Sequence, residues 1–117
     1  MTKTKVFDLE DRTQRFANDC RLFVKTVPNT AGNVEDSRQL IRSSGSVGAN
    51  YIEANEALSK KDFIMRIKIC RKESKESRYW FSLIETKSEV SEKERLRLFQ
   101  EAIELTKIFG SILENSY

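Results

Sequence analysis

The chain has 117 residues, 21 basic and 18 acidic, giving a net charge of +3, and 38% of its residues are apolar. That length suits one domain around one core, and no apolar run approaches the roughly 18–20 residues that cross a bilayer. Histidine is absent, which excludes Ser-His and Cys-His catalysis, most zinc sites and the Glu-x-x-His di-iron motif. No metal or cofactor is expected, and an enzyme of this composition would have to work with Glu, Asp, Lys, Ser or Tyr alone. Met1–Asp8 carries basic residues but no apolar stretch of a secretory signal, so a cytoplasmic, non-membrane protein is expected.

Four segments follow, all with helical period and no strand-like alternation, separated by three breaks. The first, about 8–27, spaces Leu9, Thr13, Phe16, Cys20, Phe23 and Val27 by alternating fours and threes, with Asp8 or Asp11 as candidate cap. Pro28 and Asn29–Asn33 end it. The second, about 35–58, repeats the seam with Leu40, Ser44, Val47, Tyr51, Ala54 and Leu58; Asn33 or the Glu35-Asp36 pair suits its start. The third, about 60–87, gives Phe63, Ile67, Cys70, Ser74, Ser77, Phe81 and Ile84, and Ser59 with Asp62 resembles a capping box. The fourth, about 91–115, gives Leu98, Ala102, Leu105, Phe109 and Ile112, opened by a Ser91–Glu94 capping box. Short connections between such helices predict an all-α, antiparallel up-down-up-down four-helix bundle as a single domain over 1–117. Cys20 and Cys70 fall on the seams and read as small core hydrophobes.

The run Ser43–Ala54 spends helix propensity on Ser and Gly in the middle of a helix. Small side chains there point to close approach of another backbone. Cys70, Ser74 and Ser77 make segment three narrow too, so segments two and three are expected to meet at this place. Segment four carries a second apolar stripe through Leu96, Phe99, Ile103, Thr106, Gly110 and Leu113. Such a stripe either widens the core or forms a subunit interface.

The sequence of motifs resembles one family. Gln39–Ser44, then Ser46-Val47-Gly48-Ala49-Asn50-Tyr51-Ile52-Glu53-Ala54, then Ser59–Ile64, then Lys72-Glu73 with Glu76 and Tyr79-Trp80, is similar to the bacterial four-helix-bundle proteins. These are also called ribosomal-RNA intervening-sequence proteins. Asp8-Leu9, Arg12-Thr13 and Phe16-Ala17 extend the likeness over nearly the whole chain. The resemblance implies a bundle that assembles into a homopentamer, with Leu96, Phe99, Ile103 and Gly110 as its interface. It marks Ser44, Ser46, Gly48, Asn50 and Glu53 as shared packing architecture, and it supplies no known reaction. A related branch, the accessory proteins of diversity-generating retroelements, engages a reverse transcriptase and nucleic acid.

Two constellations carry candidate chemistry. Asn50, Glu53 and Glu56 on segment two, with Glu73 and Glu76 on segment three, hold a cation or shift one another's pKa if their faces meet; otherwise they pair with Arg42, Lys72 or Arg78. Between Lys60 and Arg78 eight basic residues outnumber three acidic ones. Lys61, Lys68, Arg71, Lys72, Lys75 and Arg78 fall along one side of that helix, as a solvated face or as a phosphate-binding one. Phe81 continues the seam, which leaves Tyr79 or Trp80 to cover the flank against segment four or a neighbouring subunit, or to stack on a ligand. The leading reading is a non-enzymatic homo-oligomer that binds nucleic acid or a nucleoprotein. A protein-protein adaptor and a Glu-based enzyme are the alternatives.

Overall fold

The computed structural model describes residues 9–117, and Asp8, a candidate cap, lies outside them. Four helices and no strands occur among the described residues: α1 Leu9–Val24, α2 Ala31–Asn55, α3 Lys60–Leu83 and α4 Glu89–Glu114. Each helix packs on its sequence neighbour, and α4 closes on α1. Cross-helix contacts run in opposite senses along each pair: Thr13 faces Gly48, Ser43 faces Ser77, Arg95 reaches Phe81 and Arg12 reaches Glu101. The topology is therefore up-down-up-down.

The expected seams face one core. Phe16, Cys20, Phe23, Leu40, Val47, Ile67, Cys70, Phe81, Leu98, Ala102, Leu105 and Phe109 are all buried. Each large side chain among them contributes roughly 1.5–3 kcal/mol by leaving water. Aromatic pairs fill the two diagonals. Phe81 of α3 meets Phe16 and Phe23 of α1 at 6.4 and 5.6 Å, and Tyr51 of α2 meets Phe109 of α4 at 5.8 Å. Burial pushes the Cys20 and Cys70 thiols up to about 12, so both stay protonated among the apolar side chains.

The helix ends differ from the sequence expectation, for local reasons. Helix α2 begins a turn early because Thr30 caps it, its hydroxyl accepting the Asn33 N–H at 3.1 Å. Asn33 is not a cap. Its buried amide donates to Pro28 O and Glu85 O and accepts the Glu85 N–H at 3.0 Å, tying two loops together. Helix α2 stops at Asn55 because Ser59 must be extended to cap α3, where it accepts the Asp62 N–H. Leu58, expected on the seam, consequently stands 99% exposed in the loop. Helix α1 ends at Val24, leaving Val27 beyond it, and α3 ends at Leu83. Ser88, not Ser91, caps α4; Ser91 is buried, its hydroxyl 2.8 Å from that of Thr26, and Glu94 pairs with Arg97 instead of completing a capping box.

The small residues of α2 serve two neighbours. Toward α3, the Ser43 and Ser77 hydroxyls lie 2.8 Å apart and the Cys70 thiol donates to Val47 O at 3.4 Å. Toward α1, a Cβ placed on Gly48 would lie 2.9 Å from Thr13 Oγ1 and 3.3 Å from its Cβ. Gly48 is thus small because of α1, not α3 as the sequence pattern suggested. Thr13 cannot easily yield, since its hydroxyl bonds Leu9 O and Glu10 O at 2.9 and 3.0 Å. Gly48→Ala should therefore destabilise the fold by about 1–3 kcal/mol even though Ala is the better helix former. Gly45→Ala should be neutral or stabilising by up to about 1 kcal/mol, because its Cβ would meet nothing closer than an Arg21 nitrogen at 3.6 Å. Urea denaturation of both variants checks the contrast.

Candidate nucleic-acid interface

Helix α3 places its residues by what its two sides must do. Cys70, Ser74 and Ser77 face inward, so residues at four- and three-residue spacing on the far side, Lys68, Lys72 and Lys75, face outward. Arg71 turns toward α4, where its Nε lies 3.9 Å from the site of a Gly110 Cβ. These four cations line a groove of about 580 Å³ between α3 and the end of α4, together with Glu76, Leu113, Glu114 and Tyr117. Among the described residues none of the four has a carboxylate within ion-pair distance. Lys61 and Arg78 are exposed on the same helix but lie outside the groove.

The groove between α1 and α4 is a useful contrast. Arg12, Arg15 and Arg97 line it, but Arg12 is paired to Glu101 at 2.7 Å and Arg97 to Asp19 and Glu94 at 2.8 and 2.6 Å. Charge there is largely spent within the fold.

The carboxylates do not form a common site. Glu53 is exposed on α2 and Glu56 is exposed at its C-terminal cap. Buried Glu73 faces Arg42 at 3.4 Å, and Glu76 bonds both Arg42 and the Trp80 indole N–H, the latter at 3.0 Å. No three potential metal ligands gather among the described residues. Burial opposes the charge on Glu76, but the Trp80 N–H and the Arg42 guanidinium outweigh it and hold its carboxyl below the ordinary range. Trp80 therefore covers the α2 flank of α3, not the α4 flank. Asn50 donates to Ser46 O and Ser46 Oγ and accepts from Arg66 at 3.0 Å, a further polar link between α2 and α3.

The second stripe of α4 divides. Phe99 packs against the core, Ile103 and Gly110 are half-buried, and only Leu96 stands in solvent, 51% exposed. Tyr117, which no periodicity singled out, joins the basic groove beyond the last turn of α4.

An antiparallel four-helix bundle with a basic groove is the class these features define. The family model of 23S rRNA-intervening sequence proteins matches residues 6–111, and the chain belongs to that family. It is also similar to a crystal structure from Bacteroides thetaiotaomicron, described as a protein of unknown function from the S23 ribosomal protein family. The two are 30% identical with a TM-score of 0.77, over 89% of this chain and 96% of that one. No curated protein matches the chain.

Because the folded-state pKa of Glu76 is depressed, its contribution to stability is full above the ordinary carboxylate range and fades as pH falls through its lowered value. Glu76→Gln should lower the melting temperature at neutral pH and flatten its decline on acidification. Thermal melts followed by circular dichroism from neutral to acid pH measure both.

Proposed function

We propose that this protein binds nucleic acid, alone or within a nucleoprotein, through the groove lined by Lys68, Arg71, Lys72 and Lys75, and that it works without catalysis. What supports this reading is the contrast between the two grooves. Between α1 and α4, Arg12 and Arg97 are matched by carboxylates, whereas none of the four cations in the concave strip between α3 and α4 has an ion pair among the described residues. Unmatched cations in a row attract a phosphate backbone and release its counterions on binding. They position a strand and do not read its bases, so weak sequence preference is expected. A protein-only adaptor is the competing role, in which the same cations merely keep the surface soluble.

Self-association belongs to the same proposal. Exposed Leu96 beside half-buried Ile103 offers an apolar contact on the outer side of α4, suited to a second copy and, in a ring, to a homopentamer. A ring would repeat the basic strip around its axis and raise avidity. Phe99 is a poor probe of this contact because its ring also supports the core. Leu96→Glu should instead reduce the oligomer to smaller species by light scattering while leaving the helical melt nearly unchanged. A monomer for the unmodified chain would contradict self-association.

Replacing Lys68, Arg71, Lys72 and Lys75 together with Gln should weaken binding of every oligonucleotide to a similar degree. At about 0.7 per phosphate contact on a single strand, it should also reduce the slope of log affinity against log salt by about 3. Anisotropy titrations across a salt series measure both. No binding by the unmodified chain at low salt would favour the adaptor role.

A further inference from the structure

The groove carries more than charge. Lys68, Lys72, Lys75 and Tyr79 follow one another at four-, three- and four-residue spacing, so all four stand on one line of α3. Tyr79 is 55% exposed and Tyr117, in the groove itself, 73% exposed. The helix from Lys68 to Tyr79 is roughly 16 Å long at about 1.5 Å per residue. The Tyr79 ring is also held in place. It meets Trp80 edge-on, with centroids 5.0 Å apart and planes at 66°, and the Trp80 indole is in turn fixed by Glu76. A ring already ordered loses little freedom when a ligand stacks on it.

Phosphate binding alone gives no use for exposed aromatic rings next to the cations. Duplex nucleic acid keeps its base faces stacked inside and presents only phosphates and groove edges to such a strip. A single strand presents both phosphates and free base faces, which match a run of cations with exposed rings beside it. Resting on the nucleic-acid reading of this groove, we propose that its ligand is single-stranded nucleic acid, with Lys68, Arg71, Lys72 and Lys75 along the backbone and bases stacked on Tyr79 and Tyr117. Neither ring nor cation reads the sugar or the base identity, so RNA and DNA strands of different sequence should both bind.

The test is a set of anisotropy titrations of the full chain with short RNA and DNA single strands, the matching duplexes, and an abasic strand carrying phosphates without bases. The unmodified protein should bind both single strands more tightly than the duplexes and the abasic strand. Tyr79→Ala and Tyr117→Ala should each weaken single-strand binding by about fivefold or more, with duplex affinity and salt slope unchanged. Tyr79→Phe and Tyr117→Phe should retain binding, since the ring face is kept. Circular dichroism of each variant should match the unmodified chain, because both rings stand on the surface. If the alanine variants bind as the unmodified protein does while the four-Gln variant binds weakly, stacking is overturned and the phosphate groove stands. If the unmodified protein binds none of these ligands, the groove reading falls and stacking with it.

Discussion

Helix α2 is held between two helices that both come close, and the rest of the bundle is arranged around that fact. On one side Gly48 leaves no space beyond the Thr13 side chain. On the other, Ser43 and Val47 meet Ser77 and Cys70. Packing at near-crystalline density transmits such a contact, because a shift of one methyl group must be absorbed somewhere. Fixing α3 on α2 through its small residues turns the opposite line of α3 outward, and that line carries the lysines and Tyr79. The basic groove is thus a geometric consequence of the contact that the Ser and Gly residues permit.

Electrostatics then separates structure from surface. Arg42 closes the α2–α3 seam through Glu73 and Glu76, and Arg12 and Arg97 close the α1–α4 seam through Glu101, Asp19 and Glu94. Partly exposed pairs of this kind stabilise weakly, about 0–1 kcal/mol each, but they fix which side chains lie where. Lys72 contributes to lowering the Glu76 pKa without forming an ion pair with it. Its ammonium remains available in the groove. A net charge of only +3 therefore conceals a local concentration of cations, set by the excess of basic residues between Lys60 and Arg78.

Much of this was legible in the sequence, and the reasons it was not complete are physical. Apolar spacing identified the buried seams, from Phe16 and Cys20 to Leu105 and Phe109, because period alone decides which face a helix buries. The Ser–Gly run announced close packing, but a one-dimensional pattern does not say which neighbour fills the space, so Gly48 was assigned to α3 instead of α1. Boundaries failed where polar residues have two uses. Asn33 and Ser91 both look like caps in sequence, yet each is buried and bonded to a distant loop, contacts at sequence separations of 52 and 65 residues. The cation line on α3 was visible from spacing. That Lys68, Arg71, Lys72 and Lys75 share a groove while Lys61 and Arg78 do not depends on where the end of α4 lies. Tyr117 had no signal at all, since it follows the last helical turn and belongs to no seam.

The central claim is that the strip between α3 and α4 is where a ligand sits, and the most direct measurement is an amide-shift titration of isotope-labelled protein with a short single strand. The account predicts perturbations confined to residues around Lys68–Lys75, Tyr79 and Leu113–Tyr117, with the arginine-lined groove between α1 and α4 silent. Shifts centred on Arg12, Arg15 and Arg97 instead, or none at saturating strand, would contradict it.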